Sequence, residues 1–284
     1  MIKVLKPGIY SSIQDRGRFG FRQLGIPLAG TMDSFSANIA NSLLNNNLTN
    51  SVMEITMQGP TLEFFVSTKI AISGANISPK INNVSILNNK VYTINKGDVL
   101  SFGILITGFR CYLAVLGGFL EENILNSKSY YAGITSRMKL NKNDRIAISI
   151  QNFKSFDSKG ILTNQTPFFE TDILEVFPGP EYDMFSKQQQ NKLLSTKFNV
   201  SSKNNRMGYR LRETVLKHSI SMITSPVIPG TIQLTPEGKL IILMKDSQTT
   251  GGYPRVLQLS EKSIAILAQK TTNDSVKFKL NSYK

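Results

Sequence analysis

A chain of 284 residues, 40% hydrophobic and 18% charged, is long enough for two domains or for one large β-rich domain, and either would bury a sizeable core. That composition excludes a disordered chain, a coiled coil and a collagen-like repeat. A net charge of +14 raises nucleic acid as a partner, but the lysines are dispersed among asparagine and isoleucine without a basic run or a basic-aromatic signature, so the expectation is no nucleic acid.

Along the chain, short apolar or alternating runs recur at 2–5, 52–57, 62–66, 70–72, 84–87, 99–104, 112–116 and 146–150, each bounded by Gly, Pro, Asn or Asp. This is the pattern of a β-barrel or sandwich. A helix is expected over 33–44 with Asp33 as its N-cap, another over 263–269, and a third over 183–194. Between 152 and 171 the pattern dissolves into polar residues, which predicts a first domain over 1–155, a linker over 156–171 and a second domain over 172–284. Further strands are expected at 173–177, 220–223, 240–244, 256–259 and 276–280. A faint internal echo pairs Arg18-Phe19-Gly20-Phe21-Arg22 with Arg206-Met207-Gly208-Tyr209-Arg210, and Gly30-Thr31-Met32-Asp33 with Gly230-Thr231-Ile232-Gln233. A third pair, around Glu54 and Glu175, reverses the order, so the halves either exchange segments or match by chance.

One cysteine, Cys111, excludes an intrachain disulfide, and with the single His218 it cannot assemble a zinc site, so no metal is expected. His218 lies in a strand-like run, 215–220, where packing or solvation is its expected role. No stretch reaches the roughly 18 to 20 apolar residues that span a bilayer, and no signal core precedes Pro7, so a cytoplasmic chain without membrane contact is expected. Phosphate loops, dinucleotide turns, nucleophile elbows and metalloprotease helices of known pattern do not occur in the sequence.

Two polar, glycine-dense segments stand out. The first runs from Gln14 to Asp33 and sets Asp15, Arg18 and Asp33 among glycines that let backbone N–H groups approach a ligand. Asp-Arg pairs holding tight turns would explain it equally well. The second joins Gly230-Thr231-Ile232-Gln233 to Lys245-Asp246-Ser247-Gln248-Thr249-Thr250-Gly251-Gly252-Tyr253-Pro254-Arg255. Such a polar run after a buried strand points to a ligand or a domain interface. Gln233, Asp246 and Gln248 read amides and carboxylates by hydrogen bonding, while Arg206 and Arg210 suit a carboxylate or an oxyanion. Asp246, Gln248 and Arg206 are the candidate catalytic residues. Substrate binding is expected from Arg18, Asp15, Asp33, Arg210, Gln233, Thr250, Gly251, Gly252 and Tyr253.

Several blocks, among them Glu54-x-x-x-x-Gly59-Pro60, Phe177-Pro178-Gly179-Pro180, Arg206-Met207-Gly208-Tyr209-Arg210-Leu211, Gly230-Thr231-Ile232-Gln233 and Thr249-Thr250-Gly251-Gly252-Tyr253-Pro254, resemble the biotin-dependent carboxyltransferase, or allophanate hydrolase subunit 2, family. The resemblance runs nearly end to end and implies a mainly β fold of two cyclophilin-like β-barrel domains, with a few short helices and an interdomain cleft. For the stand-alone members it implies one component of an ATP-dependent 5-oxoprolinase that opens 5-oxoproline to glutamate with homologues of the A and B subunits, inactive alone, the ATP site not located in this chain. Two alternatives stay open: a biotin-dependent carboxyltransferase acting on urea or a related amide, with biotin on another chain, and a non-enzymatic regulator that sequesters a histidine-kinase inhibitor. The sequence departs from the family pattern at 126–137 and at Asn205.

Overall fold

A computed structural model describes residues 1–150, 168–215 and 217–281. The chain divides into two compact units, Met1–Arg18 with Ala29–Pro167 and Phe19–Leu28 with Phe168–Lys284. The segment 19–28 thus belongs to the second unit although the first surrounds it in sequence. Most of the expected linker, 156–167, lies outside the described residues.

The first unit contains strands β1 (Ile2–Lys6), β2 (Tyr10–Gln14), β3 (Val52–Thr56), β4 (Thr61–Phe64), β5 (Thr68–Asn76), β6 (Lys80–Ile81), β7 (Val84–Ser85), β8 (Val91–Ile94), β9 (Val99–Ser101), β10 (Thr107–Val115) and β11 (Arg145–Ile146), and helix α1 (Ser34–Leu43). They form a six-stranded sheet, β11-β1-β4-β9-β6-β7, and a five-stranded sheet, β2-β3-β10-β5-β8. Side-chain alternation sorts β3, β5 and β10 of the second sheet between two cores. Met53, Ile55, Ile70, Ile72, Cys111, Leu113 and Val115 share one cluster with Ile2, Val4, Leu62 and Phe64 of the other sheet. The intervening Val52, Ala71, Tyr112 and Ala114 face Ala37, Ala40 and Leu43 of α1 instead. Asp33 caps that helix as expected, accepting from the Ser36 N–H at 3.0 Å.

The second unit holds β12 (Ile173–Pro178), α2 (Lys187–Ser195), β13 (Phe198–Asn204), β14 (Gly208–Thr214), β15 (Ser225–Pro226), β16 (Thr231–Leu234), β17 (Lys239–Leu243), β18 (Thr250–Gly251), β19 (Arg255–Leu259), α3 (Glu261–Ala268) and β20 (Ser275–Leu280). Seven strands close into a barrel in the order β12-β19-β16-β17-β14-β13-β20, while β15 and β18 pair separately. Cross-strand register places Tyr209, Ile242, Ile232 and Leu257 side by side across four neighbouring strands, all of them buried at the core. The fold is therefore mainly β with three helices among the described residues, none long and apolar enough to cross a membrane.

Three expectations about elements are corrected. Residues 220–223 form no strand: Ile223 is 89% exposed, and the barrel closes through other strands, leaving an alternating pattern with nothing to pair against. Around His218, residues 215 and 217–220 likewise form no strand. Its ring is packed edge-on against Phe185 and tied at 3.2 Å to the Leu234 carbonyl and at 3.2 Å to the Ile220 N–H. The helix expected over 183–194 begins only at Lys187, because the Ser186 and Gln189 side chains form a reciprocal capping box after a separate 3-10 turn, Tyr182–Met184.

Candidate functional site

A cavity of about 620 Å³ opens against β14, β17 and β16 of the second unit. A one-residue step from the interior row turns side chains to the opposite face of each strand, and there Arg210, Ile241 and Gln233 lie opposite one another. These three line the cavity, and beside them Gly208, paired with Leu243, contributes no side chain to fill it. Ser202, Lys203, Asn204, Asn205 and Met207, from the β13–β14 hairpin, form one wall. Gln248, Gly251, Gly252 and Tyr253, from the loop around β18, form the other.

Backbone proximity explains the glycine at 251. A Cβ built there would lie 2.5 Å from the Gln233 side-chain nitrogen, so only glycine lets the loop approach this closely without moving that amide. Gln233 is 2% exposed and donates from Nε2 to the Tyr253 carbonyl at 3.3 Å. Its Oε1 accepts from no described residue, which leaves an acceptor on the cavity wall. Gln248 and Thr250 are both exposed, but Thr250, expected to bind substrate, does not line the cavity.

Arg206 and Asp246 do not line the cavity. Their side chains form a buried two-pronged ion pair, Arg206 Nε donating to Oδ2 at 2.8 Å and Nη2 to Oδ1 at 2.9 Å. The Asp246 N–H returns a bond to the Arg206 carbonyl at 2.9 Å. Behind the loop a second pair repeats the device: Arg255 donates to Glu181 at 2.9 and 2.6 Å from its side chain and at 2.8 Å from its backbone N–H. The Arg255 hydrogen bonds hold the Glu181 carboxyl below the ordinary carboxylate range, against the opposing effect of burial.

With both nearby acids committed to arginines, the lining carries two cations, Lys203 and Arg210, and no carboxylate. It also carries four side-chain amides, from Asn204, Asn205, Gln233 and Gln248. Asn205 spends its own oxygen on a turn, accepting from the Met207 N–H at 2.8 Å and the Gly208 N–H at 3.1 Å. Such a lining suits a small, anionic, amide-bearing molecule.

The remaining predicted site residues lie in the first unit and serve its own architecture. Asp15 accepts from the Ser127 hydroxyl at 2.7 Å, the Ser129 hydroxyl at 2.7 Å, the Lys128 N–H at 2.6 Å and the Gly17 N–H at 2.8 Å, fixing the segment 127–129. Arg18 is wholly buried and donates to the Ser129 carbonyl at 2.5 Å. Asp33 belongs to a buried network in which its N–H donates to the Tyr112 hydroxyl at 2.8 Å, and that hydroxyl donates to Glu54 at 2.9 Å. Burial first, then the charges of Glu54 and Asp33, push the Tyr112 phenol well above its ordinary range. Sequence reasoning passed over Ser202, Lys203, Asn204, Ile241 and Leu243. Alternation over 198–204 and 208–214 was the available signal, masked by the polar residues on the outward face.

A family profile described as "Carboxyltransferase domain, subdomain A and B" matches residues 24–280. The chain belongs to this carboxyltransferase-domain family. Among relatives, it is 31% identical over 285 residues to the C subunit of 5-oxoprolinase of Escherichia coli (strain K12), covering 98% of this chain and 90% of that protein. It is 30% identical to the C subunit of 5-oxoprolinase of Haemophilus influenzae, with the same coverage of 98% and 90%. Urea carboxylase of Kluyveromyces lactis superposes with a TM-score of 0.88 at 27% identity, over 99% of this chain but 27% of that one. In five of the solved structures that it matches, the chain spans between 19% and 56% of their length, so the family fold is a part of those larger chains.

Proposed function

We propose that this protein is the C-type component of an ATP-dependent 5-oxoprolinase and that the cavity on the second unit's barrel receives the lactam. The observation that carries the reading is end-to-end correspondence: 98% of the chain aligns with 90% of a 5-oxoprolinase C subunit, whereas a urea amidolyase of Lachancea kluyveri is matched over only 17% of its length. The cavity chemistry supports it. Arg210 and Lys203 suit the free carboxylate of 5-oxoproline, the Gln233 acceptor suits the lactam N–H, and Gln248 suits the lactam oxygen.

Lactams are poor electrophiles, so the reaction proceeds by phosphoryl transfer from ATP to the lactam oxygen. Water then adds at that carbon, the C–N bond breaks to an acyl phosphate, and a second water releases phosphate and glutamate. No recognised phosphate loop occurs in this sequence, and the phosphoryl transfer is accordingly a property of the complex with the A and B subunits. The work of this chain is to hold the substrate and to meet the developing oxyanion charge with preorganised donors.

The test is reconstitution. Purified chain, homologues of the A and B subunits, ATP and 5-oxoproline are combined and glutamate is measured, each protein being omitted in turn. Glutamate formation only when all are present is expected. Carboxylation of urea in the presence of a biotinylated carrier, without glutamate from 5-oxoproline, would replace this reading with biotin-dependent carboxyl transfer, which the K. lactis urea carboxylase likeness favours.

A further inference from the structure

Arg206 and Asp246 have the residue types of a substrate-binding arginine and a catalytic acid, yet their geometry directs them at each other. Arg206 sits in the hairpin between Asn205 and Met207, both of which line one wall of the cavity. Asp246 sits two residues before Gln248, which lines the other. Between the walls run two side-chain bonds of 2.8 and 2.9 Å and a backbone bond of 2.9 Å from Asp246 to Arg206, and Met244 donates to the Met207 carbonyl at 2.9 Å. The pair is 7% and 9% exposed, so each charge leans on the other in place of water.

We propose that Arg206 and Asp246 are positioning residues: together they latch the hairpin wall to the Gln248 wall and set the width of the cavity, without touching the substrate. The planar guanidinium fork is the part of the latch that lysine cannot supply, because two parallel bonds fix both distance and angle. This rests on the reading of the cavity as the substrate site, but its consequence for the loop does not.

The experiment uses R206K, D246N and the apolar pair R206M/D246L. Replacing a buried ion pair by apolar residues of similar volume is often neutral for stability, so the double variant should melt within roughly 4 °C of wild type. In the isolated chain, hydrogen exchange followed by mass spectrometry should show peptides covering 203–208 and 245–253 exchanging at least about fivefold faster in all three variants, with 255–259 unchanged. In the reconstituted complex, R206K and D246N should each lower kcat/KM for 5-oxoproline by roughly tenfold or more, and a fourth variant combining them, R206K/D246N, should be no worse than either, because the pair acts as a unit.

Three outcomes overturn the proposal. Near-wild-type activity of D246N alongside a disabled R206K would put Arg206 on the substrate directly. Unchanged exchange in 203–208 and 245–253 would show that nothing is latched. Wild-type kinetics of R206M/D246L would make the pair structural only. If the wild-type complex forms no glutamate, the functional reading fails by itself, and the exchange experiment still decides the latch.

Discussion

Gly251→Ala isolates the dependence of the cavity on one close approach. Gly251 does not occupy the left-handed region, so alanine meets no backbone penalty there. Its Cβ, however, would stand 2.5 Å from Gln233 Nε2 and 3.3 and 3.4 Å from the Cδ and Oε1 of the same amide. An ordinary contact needs about 1 Å more than 2.5 Å, so the amide must retreat by about that distance. Gln233 is 2% exposed, and the retreat breaks its 3.3 Å bond to the Tyr253 carbonyl.

A lost hydrogen bond of this kind costs about 0.5–1.5 kcal/mol, and the smaller unfolded-state entropy of alanine offsets about 0.4–1 kcal/mol. The net change in stability is then no more than about 1 kcal/mol, a fall in Tm of at most roughly 5 °C. Catalysis should suffer more, since a 1 Å displacement of a substrate-reading group costs roughly 10- to 100-fold. The assay is kcat/KM of the reconstituted complex beside the melting curve of the isolated chain, with a crystal structure of the variant to locate the amide. Gly252→Ala is the control for stability and amide position, because a Cβ there meets nothing within 4 Å. An unmoved Gln233 amide with wild-type kcat/KM in Gly251→Ala, or an equal displacement in Gly252→Ala, would refute the reasoning.

Gln248→Ala truncates an exposed side chain at the cavity, so it should cost under about 0.5 kcal/mol in stability while lowering kcat/KM by roughly tenfold; a melting loss with intact activity per folded molecule would mean that Gln248 only closes the turn. The Glu181 carboxyl is held below its ordinary value of 4.5 by the Arg255 hydrogen bonds, so its contribution is fully present above that value and is lost as pH falls through the depressed folded value. Thermal melting against pH should therefore drop in the acid range for wild type and be flatter there for Glu181→Gln, and parallel curves would contradict the assignment. Tyr112→Phe strips the hydroxyl that donates to Glu54 and accepts from the Asp33 N–H, and with all three residues fully buried it should destabilise the first unit by about 1–3 kcal/mol, read by urea denaturation.

What the sequence determined by itself is what local chemistry enforces. Runs such as 2–5, 52–57 and 256–259 are strands because short apolar or alternating stretches bounded by turn-forming residues suit a pleated chain buried on one or both faces. Asp33 starts α1 because its side chain caps a free N–H whatever else surrounds it. The polar, glycine-dense segment 245–255 stood out in sequence as a candidate ligand or domain interface, and four of its residues, Gln248, Gly251, Gly252 and Tyr253, line the cavity with Arg210 and Gln233.

Tertiary structure decided which of these groups face one another. Arg206 and Arg210 read alike in sequence, four residues apart. The hairpin puts Arg206 at the turn, against Asp246, and register puts Arg210 on the strand face that carries Ile241 and Gln233. Lys203 and Asn204 joined the lining only because β13 folds back along β14, a hairpin pairing that their own polar neighbourhood does not announce. Asp15, Arg18 and Asp33, equally suggestive beside glycines, are drawn into the hydrogen bonds of their own unit. A buried charge takes the partner that packing places within about 3 Å, and that distance is a property of strand pairing rather than of the residues themselves.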